Sequence, residues 1–256
     1  MHFIGIDLAW SGRNRSGAAA AVGDVGGGVL VDHALLTDDR SILDYIDARA
    51  GGGPAIVAVD APLRVPNAVG RRPCEGELAA VFGRYQAGAH PANRRLLARD
   101  GIVRGEALVA ELEQRGFAYT DRITAGVPVR AVLEIYPHPA TVALFGLERT
   151  LKYKSKPGRS AEVRHSAWRE YQRHLRALAQ ADPPLRGHGQ LLERDPVTLS
   201  GQRLKDYEDQ VDALMCAYIA LYAFRWGDQR CQAFGTLDTG SIYTPVPGEM
   251  RNASCR

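Results

Sequence analysis

The sequence predicts an α/β fold built on one mixed sheet, and three observations carry that prediction. The first 36 residues hold three short apolar segments whose links are too short for crossover helices, so they form an antiparallel meander. A helical segment and then a fully apolar run, Ala55-Ile56-Val57-Ala58-Val59, follow at once, the pattern of a strand buried on both faces of a sheet. The second half of the chain alternates another apolar strand with helical segments. With 256 residues, 45% hydrophobic and 24% charged, the chain is long enough for one large domain with a real core. Residues 1–256 are expected to form a single domain.

Taken in order, residues 2–9 form the first strand, ending in Asp7-Leu8-Ala9-Trp10. A polar turn over 11–15 leads to a second strand of small residues, 16–23, and Gly26-Gly27-Gly28 turns the chain into a third, 29–36. Thr37-Asp38-Asp39 supplies a helix start, and Ile42, Leu43, Tyr45 and Ile46 recur at helical spacing over 41–50,. Gly51-Gly52-Gly53-Pro54 stops that helix before the fourth strand, 55–60. Residues 61–127 are broken by Pro62, Pro66, Pro73 and Pro91. They are expected to form a helical insertion after strand four, with helices near 75–82 and 106–115. The fifth strand is 129–135, and Pro137-His138-Pro139 opens a short helix to about 145. A basic stretch over 149–159, a charged helix over 161–179, a long helix over 204–226 and a short strand over 241–244 complete the chain.

Composition narrows the function classes. The net charge of +3 is mild, too small for a protein that coats DNA, so any nucleic-acid surface must be local. The four cysteines form no C-x-x-C pair, which removes zinc ribbons and thioredoxin-type chemistry. Reduced cysteines, no basic-then-apolar leader and no long apolar run point to a cytoplasmic protein with no membrane partner.

Acidic residues carry the chemistry. Asp7 and Asp60 each end an otherwise apolar strand. A parallel, adjacent arrangement of those strands brings both carboxylates to one edge, where open sheets place their ligands. Glu134 closes the fifth strand in the same manner, with a salt bridge to an arginine as its ordinary alternative. Asp209 and Asp212, three apart on the long helix, share a helix face. Such a carboxylate set suits Mg2+ or Mn2+, which take hard oxygen ligands and stabilise the attacking and leaving oxygens of phosphodiester hydrolysis. His138 is a candidate for proton transfer or for orienting a carboxylate.

Residues 149–173 hold eight lysines and arginines against two glutamates. Lys152, Lys154, Lys156, Arg159 and Arg164 are the candidate nucleic-acid contacts. Interleaved Tyr153, Trp168 and Tyr171 would suit base stacking, and Arg71-Arg72 with Arg94-Arg95 would add a second basic wall.

The order of strand-Asp7, hairpin, helix, strand-Asp60 and late Asp209-x-x-Asp212-Ala213-Leu214 resembles the RNase H-like superfamily, its Holliday-junction-resolvase branch especially. Gly5-Ile6-Asp7-Leu8-Ala9-Trp10, Val59-Asp60-Ala61-Pro62, Glu134-Ile135-Tyr136-Pro137-His138, Lys152-Tyr153-Lys154 and Asp212-Ala213-Leu214-Met215-Cys216-Ala217 are similar to the domain of unknown function 429 family, described as predicted RNase H-like nucleases. The resemblance implies a five-stranded mixed sheet of order 3-2-1-4-5 flanked by helices. It also implies metal ligation by Asp7, Asp60 and Asp212, supplemented by Asp209 or Glu134. The resulting expectation is a divalent-metal-dependent nuclease, with a homodimer suggested by the resolvase relatives. Two alternatives stand beside it. One is an ATPase or phosphotransferase of the actin and sugar-kinase type, for which Ser11-Gly12 and Asn14 would form a phosphate loop; no second such hairpin follows. The other is a non-catalytic nucleic-acid-binding protein on the same fold.

Overall fold

The computed structural model describes residues 1–12 and 14–247. Strands β1 (His2–Asp7), β2 (Ser16–Asp24) and β3 (Gly27–Leu36) form the antiparallel meander. Helix α1 (Asp39–Ala50) follows, started by a capping box in which the Asp38 carboxylate accepts from Ser41 N,. It returns the chain to β4 (Ala55–Val59), which pairs with β1 in parallel. Three helices, α2 (Pro73–Phe82), α3 (Arg94–Leu97) and α4 (Arg104–Gln114), occupy the stretch before the next strands. These are β5 (Ala118–Tyr119) and β6 (Arg130–Glu134), the latter parallel to β4. Then come α5 (Pro137–Phe145), α6 (Ala161–Ala177), β7 (Leu185–Arg186), α7 (Gly189–Leu192), the long α8 (Gly201–Trp226), and the hairpin of β8 (Cys231–Thr236) and β9 (Gly240–Pro245).

The result is an α/β architecture: a mixed seven-stranded sheet of order β5-β6-β4-β1-β2-β3-β7 with helices on both faces, plus the separate β8-β9 hairpin. Seven strands replace the expected five. The two additions are two-residue pairings at the sheet edges, β5 on β6 and β7 on β3, too short to leave an alternating pattern in sequence.

Strand alternation sorts the core into two layers. Phe3, Ala19, Ala21, Ile56, Ala58, Ala131 and Leu133 face α8 and α6. Ile4, Ile6, Ala18, Ala20, Val57, Val59 and Val132 face α1 and α4. Helix α8 is apolar nearly all round from Val211 to Phe224, as its place between the sheet and the flanking elements demands. Its approach to the sheet depends on two glycines. A Cβ on Gly5 would stand 2.2 Å from Ala213 O and Ala217 N, and one on Gly17 would stand 1.9 Å from Asp209 O. Both distances are far inside van der Waals contact, so only glycine lets the helix backbone lie this close. Among the described residues no helix is long and apolar enough to cross a membrane.

Candidate functional site

Strand parity aims the aspartates. Phe3 and Gly5 face α8, so Asp7, two residues on, faces it too; Ile56 and Ala58 set the same direction for Asp60. The two strands are in register, Ile6 opposite Val59, and Asp60 N donates to Ile6 O at 2.9 Å. Asp7 and Asp60 therefore emerge side by side at the carboxyl edge. The close packing at Gly5 and Gly17 brings Asp209 and Asp212 of α8 over that edge. Asp209 and Asp212 are buried, as is their neighbour Glu208.

This concentration of carboxylates is held by two lysines. Lys154 Nζ stands 2.7 Å from Asp212 Oδ2. The other oxygen, Asp212 Oδ1, accepts from Tyr153 OH at 2.6 Å. The Lys154 contact is an ion pair without hydrogen-bond alignment, so Oδ2 is a buried oxygen lacking a hydrogen-bond donor. Lys205 pairs with Asp209 and, at 3.5 Å, with Glu208. Burial alone would lower the Lys154 pKa, but Asp212, Asp7, Asp60 and Glu208 together raise it well above the ordinary lysine value.

The carboxylates respond in the opposite sense. Burial, reinforced by Asp212, Asp60 and Asp209 and opposed by Lys154, pushes Asp7 well above the usual range. Asp60 is pushed up to about 7, by burial first, with Asp212 and Glu134 adding to it against the pull of Lys154 and Lys205. Burial and Asp212 also raise Asp209, which is in side-chain hydrogen-bond contact with Asp7. Burial at an edge of low polarisability, reinforced by neighbouring like charges, accounts for all three shifts,.

Above the acidic floor opens a cleft of about 1000 Å3. Asp7, Asp60 and Asp209 line its base. Lys152, Lys154, Lys156 and Arg159 come from the irregular strap over 150–160, Lys205 from α8 and Arg15 from the β1-β2 turn; Trp10, 58% exposed, stands at the rim. His138 and Tyr136 line another wall. Burial, then the charge of Lys154, lowers the His138 pKa to about 3. Its ring is thus neutral, with Nδ1 3.3 Å from Thr150 Oγ1.

Several sequence-based expectations are corrected. Glu134 does not join the aspartates. It lies opposite Val59 in the β4-β6 register, one residue short of Asp60, and shares the parity of Val132 on the α1-α4 face. A one-residue offset reverses the face of a strand side chain. Its carboxylate takes Arg72 at 2.9 and 2.6 Å and Leu63 N at 2.8 Å. Arg72 is consequently buried, not part of a basic wall, and Arg94 is engaged by Glu106 at 2.9 Å. Tyr153, Trp168 and Tyr171 are buried against one another in the α8-side core, because the helical spacing of 168 and 171 faces inward; they are not a stacking surface. Arg164 lies outside the cleft lining and donates to Ser155 Oγ at 3.2 Å. Lys205, Arg15 and Trp10 belong to the site and were not anticipated. For Lys205 a signal existed, since it lies one turn before Asp209 on the same helix face.

The donor chemistry suits a hard divalent cation: carboxylates from three elements at one edge, and a buried oxygen of Asp212 without a hydrogen bond. Among the described residues no group of three or more Asp, Glu, His or Cys side chains is gathered to hold a metal ion, and the ammonium groups of Lys154 and Lys205 pair with Asp212 and Asp209.

No curated protein and no solved structure matches the chain. A family model does, and its match runs from the middle of β1 to the end of β8, so that every carboxylate of the floor and all but the hairpin's second strand lie within it. The chain belongs to the family described as Protein of unknown function (DUF429), matched over residues 5–236.

Proposed function

We propose that this chain is a divalent-metal-dependent nuclease of RNase H-like architecture that hydrolyses phosphodiester bonds in the cleft. The observation that carries the reading is the meeting of opposite charges in one cleft: Asp7, Asp60 and Asp209 line it together with Lys152, Lys156, Arg159 and Arg15. A polynucleotide backbone would be drawn in by the walls, while the floor repels it unless a cation intervenes. The order β3-β2-β1-β4-β6 within the sheet supports the RNase H-like reading, because it sets the first and fourth strands parallel and adjacent.

In this reading Asp7, Asp60 and Asp212 hold Mg2+ or Mn2+, which would supply charge neutralisation of the phosphate and acidification of a water. The chain's own residues do the rest. Lys152, Lys156 and Arg159 orient the substrate phosphates. Tyr153 fixes the Asp212 carboxylate in one rotamer through its 2.6 Å hydrogen bond. His138, held neutral and lining the cleft, offers a substrate or water a hydrogen-bonding ring without adding charge. A second reading is a polyanion-binding protein without catalysis, favoured by one observation: Asp212 and Asp209 are already paired with Lys154 and Lys205.

The test is a Mn2+ or Mg2+ titration of the full chain beside Asp7→Asn, read as thermal stabilisation, with labelled DNA and RNA in the same samples. Stabilisation and cleavage that both vanish in Asp7→Asn support the nuclease. Nucleic-acid binding with neither metal response nor cleavage makes it a binding protein.

A further inference from the structure

Lys154 is the cation already present in the cluster. Its ammonium stands 2.7 Å from Asp212, in a contact that lacks the alignment of a hydrogen bond, and it lines the same cleft as Asp7 and Asp60, the other carboxylates on which the metal reading rests. The lysine belongs to the strap over 150–160, which has neither helix nor strand. On one side the strap is anchored by Thr150 N to Tyr85 O at 2.8 Å and by buried Tyr153. Beyond Lys154 its bonds are mainly local, Arg159 N to Lys156 O at 3.2 Å and Arg159 Nη1 to Lys154 O at 3.0 Å. The Lys154 side chain is thus the deepest attachment of the strap's distal half.

We propose that Lys154 and a divalent cation are mutually exclusive occupants of the Asp7–Asp60–Asp212 cluster, so that the strap is pinned shut without metal and freed with it. This inference rests on the metal reading above. One monovalent ammonium is paired with Asp212 beside Asp7 and Asp60; a divalent ion would satisfy the three carboxylates better, and oxygen ligands are what Mg2+ and Mn2+ take. An ammonium on a flexible four-carbon stem, unlike a guanidinium held in a planar fork, leaves without breaking a fixed geometry. Once freed, Lys154 remains over the cleft it lines and meets a substrate phosphate there. The pin therefore couples metal loading to the formation of the basic wall.

Two measurements test it. Calorimetric Mn2+ titration compares wild type with Lys154→Met. Removing the competitor is expected to tighten Mn2+ binding by about tenfold, the gain when the competent state rises from about a tenth of the population to nearly all of it. Equal affinity in the two proteins overturns the pin and leaves the metal site standing; no binding by either overturns both. Because Lys154→Met leaves Asp212 without its ion pair, a second measurement keeps Lys154 in place. Trypsin cleaves after Lys154 but not between Lys156 and Pro157, so cleavage at 154–155 reports the strap. Mn2+ is expected to speed that cut several-fold in wild type and not in Asp7→Asn. An unchanged or slower cut in wild type that binds Mn2+ overturns the proposal.

Discussion

Carboxylates at the ends of neighbouring strands, Glu134 on one side and Asp7 and Asp60 with their α8 partners on the other, meet their counter-charges in different ways. Glu134 meets a guanidinium. Arg72 offers it two parallel hydrogen bonds, Leu63 N a third, and Glu75 takes Arg72 Nε at 2.8 Å. Burial alone would lower the Arg72 pKa, yet Glu134 and Glu75 outweigh it and keep the guanidinium charged. Asp7, Asp60, Asp209 and Asp212 meet ammonium groups instead, two lysines for a crowded set, with one buried oxygen left without a donor. The first arrangement is complete and has no spare valence; the second is electrostatically underfilled. A buried pair with every lone pair and proton matched holds structure together, and an underfilled cluster beside a cleft is where a ligand has something to gain.

The sharpest way to break this comparison is to make the same carboxylate-to-amide change in both regions. Glu134→Gln leaves Arg72 buried against an uncharged partner and should destabilise by about 3 kcal/mol or more, seen as a fall of roughly 6–12 °C in Tm. Asp7→Asn removes a charge that burial and its neighbours disfavour. It should stabilise the metal-free protein above neutral pH, where the wild-type carboxylate is forced to ionise in its buried, crowded place. Thermal unfolding of both variants checks the pair. Destabilisation of similar size by both would mean that the floor is as fully satisfied as the Glu134 pair, and the contrast would fail.

A pH scan sharpens the comparison next. His138 falls from 6.5 to about 3 in the folded protein, through burial first and then Lys154. A base with a depressed pKa contributes stability that is intact above 6.5 and is lost as pH falls towards 3, because only the unfolded chain takes up the proton. Asp60, raised to about 7, runs the other way: the folded protein holds its proton, so this group favours folding as pH falls from about 7 to the ordinary carboxylate range. The informative quantity is thus the difference between wild type and His138→Asn. Between pH 6.5 and 4 the wild type should lose stability relative to the variant by up to about 1.4 kcal/mol per pH unit, measured by urea unfolding at each pH. Parallel curves would mean that His138 is not held neutral by its surroundings.

What the sequence made legible follows the physics of each signal. Asp7 and Asp60 stood out because a carboxylate closing an apolar strand breaks a period-two pattern, and that pattern also sets the direction of the side chain. Asp212 stood out at the boundary where α8 turns apolar. Glu134 carried the same local signal and a different meaning, since the β4-β6 register is a tertiary quantity that no single strand encodes. Tyr153, Trp168 and Tyr171 were misread for a related reason: basic neighbours suggested a surface, while helical spacing turned the rings inward. Lys154 was expected on a phosphate-binding wall and does line the cleft, but an irregular strap has no period from which its reach into the acidic floor could be read. The two edge strands were too short to leave any pattern.

The smallest expected effect concerns the walls. Lys156 lines the cleft from the strap and forms none of the floor's ion pairs, so Lys156→Ala should leave the folded state and its metal response intact. If the wall contacts nucleic-acid phosphates, removing one cation should weaken binding by a few-fold at moderate salt. It should also reduce the slope of log affinity against log salt by about 0.7–0.9, the counterion release of one phosphate contact. The loss should be the same for every sequence tested, because a phosphate contact carries no base information. Fluorescence anisotropy with single-stranded and duplex oligonucleotides over a salt series measures both quantities. An unchanged slope would put the polynucleotide elsewhere on the molecule and leave the acidic floor without the substrate that its basic walls imply. A reduced slope with an unchanged floor would show that binding and chemistry reside in separable layers of one cleft, arginine-locked structure below Glu134 on one side and lysine-held, exchangeable charge on the other.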